Sequence, residues 1–404
     1  MKKPPLHVFT GLRPVGSLTR SDREEGTILF GYRPDNSPEH AVSVTMPVRA
    51  DQYDSMGGLL PIFEMNLPEG ALRERLRMQF AKTIPEFDDL DLLSIVGSSQ
   101  IGRLRYAQQE QLDDSVPSQD LAEILTYRGS SDLFAYLLER FASYSGVSGM
   151  QPKVLIRELQ LPEKMLHRGA THIVKSFNPR DYPELAANEA ICTQGATAAG
   201  IRTARVRLSD NRQFLIVDRF DRAADGQYLG IEDLCVLMAR RAHGRYDGSY
   251  ENIARRLTEY VSPEKLAEAR RQFALMVAYV CAIENGDAHL KNFSILYSQP
   301  EGQVTLAPAY DLICTSIYMP RDKLALTLNG TKDYPDHAGL VKFLRGVTGQ
   351  SEKSAAVVIE QAIAGARAAI AAAANYAERH KDAREFAEKM TAAISRGIAR
   401  LERR

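Results

Sequence analysis

Asn285-Gly286-Asp287-Ala288-His289-Leu290-Lys291-Asn292 lies between two apolar stretches, and its last six residues hold an acid, a histidine, a lysine and an amide. A carboxylate can orient or deprotonate an attacking hydroxyl, and an amide oxygen can join a second carboxylate in holding Mg²⁺ across nucleotide phosphates. That second carboxylate is available at Asp311, nineteen residues beyond Asn292. The set matches what phosphoryl transfer from a nucleotide requires: Asp287 for the hydroxyl, Asn292 and Asp311 for the metal, His289 to brace the loop and Lys291 to offset phosphate charge. A plainer reading stands beside it, in which Asn285 and Gly286 only end a helix and Asn292 satisfies loop backbone.

Other positions bear on that choice. An Asp followed five residues later by Asn, with a metal-binding Asp beyond, is the interval of a kinase catalytic loop. Lys175 interrupts the apolar run His172-Ile173-Val174-Lys175 and is followed by a helix carrying Glu189, the order of a phosphate-holding strand lysine and the glutamate that positions it. The alternatives are an edge-strand lysine and a solvated helix acid. The small-residue loop from Gly146 to Lys153 permits close backbone approach to phosphate, although it is not a Walker A sequence and a linker would look similar. Asp218-Arg219-Phe220-Asp221-Arg222 closes an apolar strand and suits either a nucleotide-binding hinge or a strand end with alternating surface charges. Arg240-Arg241-Ala242-His243-Gly244-Arg245 reads first as a solvated basic loop and second as a phosphate or substrate contact.

The elements that must carry these residues follow from periodicity. Strands are expected over Leu6–Phe9 and Thr27–Tyr32, and the alternation of Val42, Val44 and Met46 predicts another. Helical stretches run from Leu67-Pro68-Glu69-Gly70 to about Thr83 and from Asp89 to Ile95. Residues 107–120, rich in Gln, Asp and Ser, read as a linker. Helices over Asp120–Tyr127 and Asp132–Phe141 precede strands at Val154–Glu158 and His172–Phe177, a helix at Leu185–Ala199, and strands at Arg205–Leu208 and Phe214–Phe220. Beyond residue 231 helices dominate: one from Pro263 to about Glu284, then a hairpin of Phe293–Tyr297 and Val304–Leu306, then two alanine-rich helices at 352–379 and 382–402. Helix propensity accounts for the alanine enrichment.

The chain has 404 residues, 44% of them hydrophobic, enough for two or three domains with a substantial core. Fifty-one basic residues balance fifty-one acidic ones, so there is no overall field for autonomous nucleic-acid binding. Cys192, Cys235, Cys281 and Cys314 form no metal or redox spacing and are expected as free thiols in the cytoplasm. The start of the chain lacks a signal-peptide apolar stretch, and the longest strongly apolar run, Phe273–Ile283, has eleven residues against the ~18 of a membrane span. No membrane association is expected.

In their order, the motifs resemble the HipA family, serine/threonine kinase toxins of bacterial toxin-antitoxin modules. Val147-Ser148-Gly149-Met150-Gln151-Pro152-Lys153 is similar to the family's phosphate loop, and His172–Lys175 to its nucleotide-lysine strand. Asn188-Glu189 matches the following helix, Asp218–Arg222 the hinge and Glu232-Asp233-Leu234-Cys235 the segment after it. Gly286–Ser294 resembles the catalytic loop and Tyr310-Asp311 the metal-binding acid, while Phe63–Gly70 and Arg73 resemble the small N-terminal subdomain. The resemblance implies an α+β, two-lobed protein-kinase-like fold with an N-terminal α/β subdomain (1–107), a kinase N-lobe (108–220) and a mainly helical C-lobe (221–404).

It further implies Asp287 as catalytic base supported by His289 and Lys291, and Mg²⁺ on Asn292 and Asp311. ATP would be held by Ser148, Gly149, Met150, Gln151, Pro152, Lys153 and Lys175, with Asp218, Arg219, Phe220 and Asp221 around adenine and ribose. The implied partners are a helix-turn-helix antitoxin, DNA only through that antitoxin, and a protein substrate such as an aminoacyl-tRNA synthetase. The family's switch is autophosphorylation of a phosphate-loop serine; here Gly146 stands where a serine often does, and Ser148 is retained. Two other functions are open: a small-molecule kinase of aminoglycoside-phosphotransferase type, sharing Asp287, His289 and Asn292, and a non-catalytic corepressor that helps an antitoxin bind operator DNA.

Overall fold

The computed structural model describes residues 3–24, 26–55, 57–80, 82, 84, 86–129, 132–159, 169–177, 180–349 and 351–403. The chain divides into two compact units, Met1–Ser176 with Ser209–Ala242 and Leu296–Val304, and Phe177–Leu208 with His243–Ile295 and Thr305–Arg404.

The first unit is built on two sheets. One is antiparallel, in the order Tyr53–Ser55, Ile28–Tyr32, Arg13–Arg20, Leu6–Thr10 and Leu104–Ala107. Its apolar face closes over the helices Gly70–Phe80 and Asp89–Val96 through Phe30, Phe63, Leu76 and Leu92. Asp88 caps the latter helix in a reciprocal capping box with Asp91. The second sheet runs Ser118–Gln119, Lys153–Glu158, His172–Ser176 and Phe214–Asp218. Val154, Ile156, Val174 and Ile216 pack there with Phe141 from the helix Leu133–Phe141. The 107–120 linker is therefore not wholly free, since Ser118 and Gln119 pair in parallel with Arg157 and Glu158.

The strand expected at Val42–Met46 is absent. Glu232, fully buried, accepts the Ser43 hydroxyl at 2.6 Å and the Val44 N–H at 2.8 Å, which turns this backbone inward instead of leaving it for a ladder. The strand Arg13–Arg20 went unread because Pro14 and Gly16 break its pattern. Gly16 is needed there: a Cβ would strike the Phe30 ring and the Gly31 carbonyl. The helix expected to reach Thr83 ends at Phe80, and Thr83 lies outside the described residues.

The second unit is helical, with Glu352–Arg379 at its centre, packed against Leu185–Ala198, Pro263–Ala282 and Arg384–Glu402. This helix is long and apolar enough to cross a membrane by length and composition alone, and half of its most apolar window is buried inside the protein. Its alanines have a packing reason beyond helix propensity. A Cβ on Gly195 would meet the Gly365 carbonyl, and one on Gly365 would meet Ala199, so the two backbones approach too closely for larger side chains. All four cysteines are buried free thiols.

Candidate active site

The site residues fall into two sets, one in each unit. In the helical unit the set begins where Pro263–Ala282 ends. Glu284 takes the left-handed conformation, at φ 52°, and Arg396 and Arg400 grip its carboxylate at 2.9 and 3.0 Å. Gly286 is required on steric grounds: a Cβ would run into the Asp322 carboxylate and the Lys323 carbonyl. Its N–H donates to Thr315 Oγ1 at 2.6 Å, and the Asp287 N–H donates to Asn285 Oδ1 at 3.0 Å. The turn is thus fixed before the first reactive group appears.

Asp287 is half-buried, and its Oδ1 accepts the Tyr246 hydroxyl at 2.8 Å. Burial pushes its carboxyl above the ordinary range, the Tyr246 hydrogen bond opposes this, and the negative charge of Asp311 adds to it. His289 is held down to about 4 by burial and by the Arg245 charge, so it is neutral at physiological pH. Its Nδ1 is buried without a hydrogen-bond partner, and its ring lies edge-on to Tyr246 with centroids 5.1 Å apart. The His289 N–H donates to Asn292 Oδ1 at 3.0 Å, while the Asn292 N–H returns to the His289 carbonyl at 3.0 Å. This closes the Leu290–Asn292 turn. Lys291 contributes its carbonyl, which accepts the Tyr310 hydroxyl at 2.7 Å.

Asp311 also sits in the left-handed region, at φ 55°. The segment after it is fastened by Asn188, whose amide accepts the Cys314 N–H at 2.9 Å and donates to the Cys314 carbonyl at 3.0 Å. Asn285, Asn292 and Asp311 border one small internal cavity. A carboxylate and an amide oxygen in that proximity are hard ligands of the kind Mg²⁺ accepts when waters and phosphate oxygens complete its octahedron. Among the described residues no cluster of three or more His, Cys, Asp or Glu is arranged to hold a metal. These residues suit Mg²⁺.

In the other unit, Lys153 and Lys175 are direct partners on neighbouring antiparallel strands, so their side chains leave the same face of the sheet. Both are buried, 5% and 4% exposed. The loop before Lys153 is pinned on several sides. Ser145 is fully buried and accepts the Leu155 N–H at 2.9 Å. The Gly146 N–H donates to the Ser99 carbonyl and the Gly146 carbonyl accepts from Ile101. A Cβ at Gly146 would overlap Gln100 and crowd the Ser99 carbonyl. Ser148 donates to Glu69 Oε1 at 2.6 Å, and Lys153 Nζ donates to the Ser148 carbonyl at 3.1 Å. Gly70, at φ 53°, lets Met150 approach where a Cβ would meet its carbonyl at 2.7 Å. Gly149 takes φ 120°, and Met150 is exposed beside Gln151 and Pro152, which are half-buried.

The 218–221 segment divides internally. Arg219 and Asp221 are buried and pair with each other, Asp221 also accepts the Gly102 N–H at 2.6 Å, and Arg219 donates to the Gln100 carbonyl at 2.8 Å. Asp218 lies 3.4 Å from His172 Nε2, and Phe220 packs against the first sheet's core. The side chains of Arg219 and Asp221 are thus committed to one another.

Sequence reasoning missed Tyr246 and the grip of Glu69 on Ser148. The basic run ending at Arg245 was the only local sign of the former, and it read first as a solvated loop and second as a phosphate or substrate contact, not as a neighbour of Asp287.

Residues 6–107 match the HipA N-terminal domain and residues 145–395 the HipA-like C-terminal domain. Two proteins of Sinorhizobium fredii are similar. Putative kinase Y4mE is 30% identical over 336 residues, 78% of each chain, and putative kinase Y4dM is 27% identical over 351 residues, 79% of each. The fold matches a solved structure from Shewanella oneidensis MR-1, the HipA toxin in complex with HipB and its operator DNA. The TM-score is 0.71 at 19% identity, covering 98% of this chain and 97% of that one.

Proposed function

The chain belongs to the HipA family, and on that premise we propose that it is an ATP-dependent serine/threonine protein kinase acting as a HipA-type toxin. The observation that carries the reading is Asp287: a half-buried carboxylate with raised proton affinity, close to a small cavity bordered by the Asn292 amide and a second carboxylate, Asp311. An acid in that state accepts the proton of an attacking serine or threonine hydroxyl as the hydroxyl oxygen bonds to the γ-phosphorus and the bond to ADP breaks. His289, neutral and tied by its N–H to Asn292, keeps the loop closed without competing for the proton. Asn292 and Asp311 would hold Mg²⁺, which supplies neutralisation of phosphate charge. Lys153 and Lys175, side by side on neighbouring strands, are the cations for the nucleotide phosphates. Ser148 to Pro152 cover the phosphates, and the backbone of 218–221 with Asp218 offers groups to adenine and ribose.

The same premise favours a division at about residues 107 and 220, a helix-turn-helix antitoxin as partner with DNA reached through it, and a protein substrate such as an aminoacyl-tRNA synthetase. Of the two serines in the loop from Ser145 to Lys153, Ser148 is the one suited to autophosphorylation: Ser145 is fully buried and bonded on both sides, whereas Ser148 is half-buried. A phosphate there would face Glu69 and break its hydrogen bond.

The test is incubation of the full chain with ATP and Mg²⁺, reading ADP release and intact mass. ADP release and one added phosphate at Ser148, both absent in Asp287→Gln, are expected. Unchanged ADP release in Asp287→Gln would overturn the reading.

A further inference from the structure

Residues 245–250 run beside the catalytic loop and hold it at three places. The Arg245 carbonyl accepts the Leu290 N–H at 3.1 Å, and the Tyr250 hydroxyl donates to the Ala288 carbonyl at 3.0 Å. Between them in sequence, Tyr246 donates its hydroxyl to Asp287 Oδ1 at 2.8 Å. The first two contacts hold backbone; the third lands on the reactive carboxylate itself. Tyr246 is fixed in turn, its ring edge-on to His289, the Arg245 guanidinium 5.7 Å from the ring centroid and its carbonyl accepting from Lys332 Nζ at 3.4 Å. Tyr250 anchors the other end, fully buried in a helix capped by Ser249.

The chemistry of the donor matters. An arginine or lysine at this distance would hold the carboxylate just as well, but its positive charge would strip the acid of proton affinity. A phenol donates one hydrogen bond and carries no charge. Asp311 and Asp322 press on Asp287 with negative charge and Arg245 with positive, so the carboxylate needs an orienting contact that leaves this balance alone.

We propose that Tyr246 is a positioning residue for the transfer: its hydroxyl locks Asp287 through Oδ1 and leaves Oδ2 for the acceptor hydroxyl. This rests on Asp287 being the base.

The experiment compares the full-length wild type with Tyr246→Phe and Asp287→Asn by steady-state ADP release at varied ATP with Mg²⁺. Phenylalanine keeps the ring against His289 and removes only the hydroxyl. The expected result is a kcat roughly tenfold lower, the loss of one hydrogen bond to a charged group, with the KM for ATP and the melting temperature unchanged. Wild-type kcat in Tyr246→Phe alongside an inactive Asp287→Asn overturns the inference alone. A fall in kcat matched by a fall in melting temperature also overturns it, because it assigns the hydroxyl to packing. An active Asp287→Asn overturns the underlying reading instead.

Discussion

Asp221, buried, and Asp287, half-buried, lie one in each unit, and they end on opposite sides of the ordinary carboxylate range. Burial pushes each of them up. At Asp221 that push loses to the Arg219 charge and hydrogen bonds, the Gly102 N–H and the Arg105 charge, and the group lies low. At Asp287 the one hydrogen bond offsetting it comes from a neutral phenol, two further carboxylates add to it, and the group stays high. Burial alone therefore does not make an acid reactive. The partner decides: a cation spends the carboxylate on structure, while a neutral donor keeps its proton affinity for chemistry.

The largest effect that tests this contrast is on turnover. Asp287→Asn should lower ADP release about 10³-fold, or roughly 4 kcal/mol of transition-state stabilisation, and leave the denaturant midpoint no lower than in the wild type. A large loss of stability in this variant would place Asp287 with Asp221 and erase the distinction.

Asp221→Asn should do the reverse. It leaves the Arg219 guanidinium buried without its counter-charge, and breaking such a pair costs about 3 kcal/mol. Urea unfolding should show the drop, and any ADP release that survives should keep its ordinary dependence on Mg²⁺. A stability within 0.5 kcal/mol of wild type, the ~0.5 kcal/mol scale of ordinary surface substitutions, would mean the pair contributes nothing beyond its neighbours.

The same contrast marks how far the sequence could be read. The short apolar stretches within 153–158, 172–176 and 214–218 became strands near the expected limits, and Glu352–Arg379 became the expected helix, because these patterns are local. Asp287, Asn292 and Asp311 were legible from type and interval. Their surroundings were not, since what sets the state of each acid comes from far along the chain: Tyr246 reaches Asp287 across 41 positions and Gly102 reaches Asp221 across 119. Asp218–Arg222 reads equally as surface charge, and only the closing of Gln100 and Gly102 over it makes Arg219 and Asp221 a buried pair. The expected strand at Val42–Met46 failed in the same way, through Glu232, 188 positions from Val44.

A smaller effect sharpens the catalytic side. In Gly286→Ala the new methyl would collide with the Asp322 carboxylate and the Lys323 carbonyl, an overpacking that costs about 2 kcal/mol. Because Gly286 adjoins Asp287, the relief of that collision displaces the base, so kcat should fall more than the KM for ATP rises. Equal changes in both would mean that the loop shifts as a rigid piece.

The smallest expected effect is the pH dependence of stability, where the two acids carry opposite signs. Asp221 has a depressed folded pKa, so its stabilisation is present above the unfolded value of ~3.9 and is lost only as pH falls through its folded pKa. Asp287 has a raised folded pKa, so its charge opposes folding at neutral pH, and that penalty is relieved as pH falls through the folded value toward the unfolded one. Melting curves of wild type and Asp287→Asn should therefore be furthest apart near neutrality, with the variant the more stable, and should converge on acidification while the Asp221 contribution is still intact. Parallel curves from neutral pH downward would show that Asp287 has no raised proton affinity in the folded chain, and the distinction between the two acids would then rest on their hydrogen-bond partners alone.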